Sequence, residues 1–424
     1  MSTTLNAHRE AIRRLAPHYR QGYGFPRAFY HDPELYDAEI DAIWRRGWLF
    51  AVHSCEVPGA GDYAVFDVDT DSIVIVRRED GTVGAMHNVC RHRGSLVVTQ
   101  PCGRSRAFVC PYHQWTYGLD GRLLAARHMP AALDTSALGL KAVWTQEMEG
   151  LIFVSLADQR PDFDAAAALM APMARPAGFR RARVAKALDY AIHANWKLLW
   201  ENNRECYHCD ASHPQYIKAN FDRYESDDLD EHIARQIEEA TSRSQAKWAA
   251  CGLAVTHGQG GLPVFPDKEG RIWYSANRTA LVDGYVTESL DGRRLAPLMG
   301  DYADEDVGTL RLRTLPNFWS HGSCDYAVTT RLVPAGPRLT RARTTWLVHE
   351  SAQEGRDYDL THLMPFWQLT SEQDWEICER QQRGVDSRAY EPGPLSKAKE
   401  YNVESLHRWY FNSMADGVPA PDAT

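Results

Sequence analysis

The sequence predicts an α+β protein: a small all-β module followed by a larger α+β unit whose antiparallel sheet is covered by helices. Three observations lead there. Between Trp48 and Leu156, short alternating or apolar runs are broken by turn signals, the texture of an all-β module. Strand-like runs return at Thr309 to Trp319, Asp325 to Val333 and Leu339 to His349. Around them lie two helical segments, one opening at Asn195 and one spanning about 358–382.

In chain order, residues 1–44 read as an amphipathic helical segment, with Phe29, Tyr30, Leu35, Tyr36, Ile40, Ile43 and Trp44 near helical spacing, that packs on the larger unit. Residues 45–158 form the β module, with strands at Tyr63 to Val68, Ser72 to Val76 before the Glu79-Asp80-Gly81 turn, Arg106 to Val109, and Leu151 to Val154. The Pro- and Ala-rich stretch from Arg160 to Pro176 reads as a linker, and residues 159–424 form the α+β unit. A strand from Val184 to Ile192 opens it. Asn195 then caps a helix expected to run through Trp196, Leu199, Trp200, Glu201, Glu205 and His208. After the helix at 358–382 comes a tail rich in Pro and Gly.

Cys90 and His92 are followed, after seventeen intervening residues, by Cys110 and His113, giving Cys-x-His and Cys-x-x-His in two short loops. Two thiolates and two imidazoles are the ligands of a Rieske [2Fe-2S] cluster, in which the histidines raise the potential of one iron so that the cluster relays single electrons. A Cys2His2 zinc site uses the same residue types, but zinc folds usually keep both cysteines in one loop and both histidines in another. Here each loop carries one of each. Gly94, Pro111 and Gly118 supply the turns such loops need.

Composition narrows the partners. The 424 residues suffice for two or three domains, and 44% hydrophobic with 24% charged residues is ordinary for a globular protein. A formal charge of −9 argues against nucleic acid or an anionic membrane as partner. Met-Ser-Thr-Thr-Leu-Asn-Ala-His-Arg-Glu has no secretory apolar core, and the most apolar run, Ala165 to Ala174, is too short to span a membrane and contains Pro172. Nine cysteines, an odd number without a dense framework, favour a reducing compartment. The expected location is cytoplasmic.

Downstream, His208 and His213 lie five apart, a spacing that does not stack on one helical face. Pro214 disfavours helix at His213, so the chain is expected to turn there and fold His213 back toward His208. Two histidines and one carboxylate leave open positions on Fe(II), as binding oxygen beside a substrate requires. Cys206 and Cys209 form a Cys-x-x-Cys, a pattern shared by redox pairs and zinc ligand sets; no second pair exists to complete a zinc site, and the two are expected to pack in the helix around the metal.

With these residues in hand, the chain resembles the α subunits of the Rieske non-haem iron oxygenases. The likeness runs from the Trp48 region through Cys-Arg-His-Arg-Gly and the Asn-Trp-Lys helix to the long late helix. It implies a Rieske cluster on Cys90, His92, Cys110 and His113, and a mononuclear iron on His208 and His213, with Asp374 as third ligand ahead of Asp325 and Asp210. It further implies that Glu205, three residues before His208, bridges to the partner subunit's His113, within a homotrimer. Most of the family carries Asp at that position. The longer Glu resembles the quaternary-ammonium branch, as do Glu-Asn-Asn-Arg-Glu-Cys-Tyr-His-Cys at 201–209, Pro-Tyr-His-Gln-Trp-Thr-Tyr at 111–117 and Thr-Trp-Leu-Val-His at 345–349.

That branch implies O2-dependent hydroxylation of an N-methyl group or its neighbour on a betaine-like compound, the unstable carbinolamine then losing formaldehyde. Electrons would come from NAD(P)H through a separate flavin and iron-sulfur reductase, since no dinucleotide fingerprint is evident in this chain. Aromatic faces suit a methylated ammonium, and Trp319, Tyr326, Trp346, Phe366 and Trp367 lie in segments expected to line the cavity. Two alternatives share parts of this pattern: an aromatic ring-hydroxylating oxygenase, and a Rieske electron carrier, against which the chain length and the His208, His213, Asp374 set argue.

Overall fold

The computed structural model describes residues 10–130, 132–224, 229–254 and 270–415; the first nine residues, on which the reading of the amino terminus rests, lie outside them. Ten strands come from the first part of the chain: β1 (Leu49–His53), β2 (Asp62–Val68), β3 (Asp71–Arg77), β4 (Val83–His87), β5 (Cys102–Arg104), β6 (Phe108–Val109), β7 (Thr116–Tyr117), β8 (Leu123–Ala125), β9 (Ala142–Met148) and β10 (Leu151–Ser155). They pair antiparallel as a seven-stranded sheet, β1-β10-β9-β4-β3-β2-β5, and a three-stranded one, β6-β7-β8.

The second part builds one antiparallel sheet from β11 (Arg183–Ile192), β12 (Tyr274–Thr279), β13 (Thr309–Thr314), β14 (Phe318–Gly322), β15 (Tyr326–Pro334) and β16 (Thr340–Val348), in the order β11-β16-β15-β14-β13-β12. The pleat sorts its side chains. Leu310, Leu312, Phe318, Ala327 and Leu347 enter one apolar core, while Arg311, Trp319, His321, Tyr326 and Trp346 alternate with them on the opposite face. Helices cover the sheet, so the architecture is α+β.

Several elements differ from the sequence expectation. The run from Thr309 to Trp319 is two strands, because Leu315-Pro316-Asn317 makes a tight turn and proline cannot continue a ladder. Within the expected linker, Asp164–Ala174 is helical: its alanines favour helix, and Ala166, Met170 and Met173 find a core to enter despite Pro172. The helix capped by Asn195 stops at Asn203 rather than reaching His208. The late helix is Pro365–Val385, preceded by the short turn Leu360–Leu363, and Pro365 fits its first turn, where no N–H is needed. The tail holds a further helix, Tyr401–Met414.

The amino-terminal segment folds as Ala28–His31 and Pro33–Glu39, the latter capped by Asp32, and continues to Trp44. Glu39 is buried and accepts hydrogen bonds from Lys197 Nζ (2.5 Å), Trp196 Nε1 (2.8 Å) and Tyr410 Oη (2.7 Å). Tyr30 Oη donates to Glu201 at 2.9 Å. These contacts fasten the segment to the helix that leads into the metal centre.

The two large sheets meet at β1, an edge strand with free backbone groups. Asn317 answers them with its amide: Phe50 N–H donates to Oδ1 (2.9 Å) and Nδ2 donates to Phe50 O (2.8 Å). Arg331 donates to the carbonyl of Ala51, where the β1–β10 register shifts, and His53 Nε2 lies 2.9 Å from Thr329 Oγ1. Among the described residues no helix is long and apolar enough to cross a membrane.

Candidate cluster site and mononuclear metal centre

The two Cys/His loops are built on one backbone plan. Cys90 N–H donates to Ser95 O and Cys110 N–H to Trp115 O, both at 2.8 Å; Gly94 N–H closes on Cys90 O and Gln114 N–H on Cys110 O, at 2.9 and 3.0 Å. Gly94 and Gln114 both take positive φ, 77° and 60°, at the equivalent corner. Glycine adopts that conformation freely, whereas glutamine there is held by the loop. The result is a matched pair of short loops facing each other.

Their ligand atoms suit a Rieske cluster. Cys90 and Cys110 are buried free thiols, and the His92 and His113 rings lie 4.6 Å apart. His92 Nδ1 is buried without a hydrogen-bond partner, which iron coordination would satisfy. Trp115 stacks on His92 at 4.8 Å, and the Tyr117 hydroxyl sits 3.3 Å from Cys90 Sγ, the kind of contact that tunes a cluster's potential. Neither aromatic was singled out from the sequence.

At the second centre, His208 and His213 come together with rings 5.1 Å apart. Asp374 Oδ1 lies 3.3 Å from His208 Nε2 and 2.9 Å from His213 Nε2, so one carboxylate oxygen faces both imidazoles. The outer nitrogens are also engaged. His208 Nδ1 lies 2.6 Å from Glu205 Oε1 and His213 Nδ1 2.8 Å from Gln373 Oε1. Acceptors there require Nδ1–H, so each ring turns its Nε2 toward Asp374, the atom a metal would take on displacing any proton there.

Charge at the centre points the same way. Burial opposes the charged forms, yet Asp374 and Glu205 together raise His208 to about 10, while the histidines hold Asp374 down to about 2. The site therefore favours positive charge between two nitrogens and an oxygen. A divalent cation supplies it, and the donor set of two imidazoles and one carboxylate fits Fe(II).

The other carboxylates considered are engaged elsewhere. Asp325 is buried and accepts from Thr287 Oγ1 (2.6 Å), Leu295 N–H (2.5 Å) and Ala296 N–H (3.3 Å), and Asp210 is exposed near Arg223. Glu205 and His208 meet as expected, but in a loop and not on a helix face. Glu205 Oε2 accepts N–H groups from Tyr207 and His208, and this local capture of donors ends the regular turn. The same turn brings Cys206 and Cys209 to a Cα separation of 5.0 Å, and the two are joined by a disulfide. They are bonded to each other rather than simply packed.

Four of the five aromatic residues cluster. Tyr326, Trp346, Phe366 and Trp367 share one buried core with Tyr216, Cys206 and Cys209. Trp319 packs instead between Trp200 and Trp375, at 5.2 and 6.3 Å, away from that group. Tyr216, which the sequence reading missed, connects the centre to the cluster: its ring is 6.5 Å from His213 and 5.8 Å from Trp367. Behind it sits a buried polar group, with Arg311 on Asp222 at 2.7 Å and His321 over Trp367 at 4.1 Å. Gln373 was also missed, although its place beside Asp374 was the available signal.

Two family models match the chain. Residues 47–141 match the Rieske [2Fe-2S] domain, and residues 179–416 match the ring hydroxylating alpha subunit catalytic domain. The chain belongs to the Rieske non-haem iron oxygenase α subunits. This oxygenase is 40% identical to the glycine betaine monooxygenase oxygenase subunit of Chromohalobacter salexigens, over 95% of its own length and 88% of that protein. It is 36% identical to the glycine betaine monooxygenase oxygenase subunit of Pseudomonas aeruginosa strain UCBPP-PA14, over 93% and 90% of the two chains. Its fold is that of the quaternary ammonium Rieske monooxygenase CntA in complex with L-carnitine, with a TM-score of 0.68, 19% identity, and 93% and 96% of the chains covered.

Proposed function

We propose that this oxygenase hydroxylates an N-methyl group, or the carbon beside it, of a betaine-like quaternary ammonium compound, with N-demethylation and release of formaldehyde. The observation that carries the substrate class is the 40% identity, along nearly the whole chain, to a glycine betaine monooxygenase oxygenase subunit. When bound, the cluster passes single electrons and the mononuclear iron activates O2.

The chain's own residues then have distinct tasks. Cys90, His92, Cys110 and His113 hold the cluster within the domain unit 45–158; His208, His213 and Asp374 hold the iron within 159–424; from the amino-terminal segment, Tyr30 and Glu39 brace the helix leading to it. Gln373 and Glu205 fix the imidazoles by accepting their Nδ1–H protons. Glu205 also extends toward the partner subunit's His113 in a homotrimer, so electrons enter from a neighbouring chain. Tyr216, Tyr326, Trp346, Phe366 and Trp367 supply the aromatic surroundings for a cation without hydrogen-bond donors. NAD(P)H is oxidised on a separate flavin and iron-sulfur reductase in the cytoplasm.

An oxygen-uptake screen with a compatible reductase tests the reading, comparing betaines with aromatic acids and assaying formaldehyde. Uptake with betaines and matching formaldehyde is expected. Uptake with aromatic acids alone would assign the chain to ring hydroxylation instead.

A further inference from the structure

The Cys206–Cys209 disulfide brackets Tyr207 and His208, in the loop that carries the metal centre. Ligand atoms of His208, Cys209 and His213 lie within 4.8 Å of one another. A tetrahedral zinc site spaces its ligand atoms about 3.5 Å apart, given its usual bond lengths, so a small contraction would close these three on one ion. The backbone already supports that contraction, because His213 N–H donates to Cys209 O at 2.9 Å and ties both residues into one turn. While the disulfide is closed, the Cys209 sulfur is committed to Cys206.

We propose that this disulfide controls which metal the centre accepts: closed, it withholds Cys209 and leaves an iron site; open, it frees Cys209 to join both histidines in a zinc site. The inference rests on the reading of His208 and His213 as metal ligands. Two imidazoles and one carboxylate keep positions open for Fe(II), whereas adding a thiolate makes a closed set that prefers Zn(II), which also stands above Fe(II) in intrinsic affinity. A thiolate bound beside both imidazoles would take a position that oxygen needs. Reduction followed by zinc capture would thus switch the centre from catalytic to silent.

The chemistry balances with a dithiol reductant. Its two sulfhydryl groups supply two electrons and two protons to the Cys206–Cys209 bond, forming two protein thiols and one disulfide in the reductant. Cys209 then releases its proton to buffer on binding zinc. A peroxide restores the bond by taking both electrons, with two waters as product.

The test is metal competition on the full-length, cluster-loaded protein. Oxidised wild type, Cys206→Ser and Cys206→Ser/Cys209→Ser proteins are given equal Fe(II) and Zn(II) without oxygen, and metal beyond the cluster is counted. In Cys206→Ser the zinc-to-iron ratio should rise by about tenfold or more over oxidised wild type, and the double variant should not follow. Zinc X-ray absorption of Cys206→Ser should show one sulfur neighbour at about 2.3 Å. Wild type treated with dithiothreitol and desalted should behave as Cys206→Ser does, which covers the case of a variant that fails to fold. An unchanged ratio, or zinc without a sulfur neighbour, overturns the proposal. So does alkylation mapping that finds both cysteines free in protein isolated without reductant. If oxidised wild type binds neither metal beyond the cluster, the histidine ligand reading itself fails and the proposal falls with it.

Discussion

Glu205 Oε1 lies 2.6 Å from His208 Nδ1, so the carboxylate that ends the Asn195 helix also holds the ring of a metal-binding histidine. One side chain thereby shapes the loop through Oε2 and fixes the imidazole through Oε1. Glu205→Gln keeps the length but removes the charge. Both metal centres should stay occupied in this variant while reoxidation of the reduced cluster slows by about 10- to 100-fold. Stopped-flow spectroscopy of cluster reoxidation with substrate and oxygen checks this, and a normal rate would remove Glu205 from the electron path.

Gln373 plays the corresponding part for His213, at 2.8 Å from Nδ1, and is itself positioned by Gln215 Nε2 at 2.9 Å. Gln373→Ala frees the ring to rotate. Affinity for the mononuclear iron should fall by about 10- to 100-fold with the Rieske spectrum unchanged. Iron titration followed by metal analysis provides the readout.

Asn317 joins the two sheets by pairing with both backbone groups of Phe50. Asn317→Ala leaves a buried N–H and a buried carbonyl without partners, at a cost of about 2–4 kcal/mol. Denaturant unfolding should register that loss. Cluster absorbance should persist in the folded variant, because the hydrogen bonds of Asn317 go to Phe50, Thr314 and Leu332, none of them in the ligand loops.

His53 gives the same junction a pH dependence. Burial lowers its pKa from 6.5 to about 4, opposed in part by Glu56 and assisted by Arg331 and Arg343, so the folded state holds the ring neutral. A folded pKa below the unfolded one means that this stability is fully present above pH 6.5 and is lost as pH falls toward 4. The full effect is on the order of 3 kcal/mol. Unfolding curves across that window should show a steeper decline in wild type than in His53→Gln; parallel declines would clear His53 of the role.

The parts of the molecule most legible in the sequence are those whose chemistry dictates residue type. Two Cys/His loops can be read because a cluster requires those ligands at close spacing, and His208 and His213 because Pro214 ends helix at His213. Asp374 could be ranked first only through family likeness, since a helical carboxylate carries no local mark of its role. Gln373, Tyr216 and Asn317 act through contacts made across long stretches of chain, and no local pattern records them. The helix end at Asn203 was misplaced for a different reason. Glu205 has good helix propensity, and only its side-chain capture of the Tyr207 and His208 amides turns the chain away.

The central claim is that this oxygenase demethylates a quaternary amine at the centre formed by His208, His213 and Asp374. Its most direct test is a single turnover: protein with reduced cluster and Fe(II) is mixed with glycine betaine and oxygen, then quenched and assayed for dimethylglycine and formaldehyde. Equal amounts of the two products, abolished in His213→Ala while the Rieske spectrum remains, are expected. Cluster oxidation with neither product, or unchanged product in His213→Ala, would contradict the account.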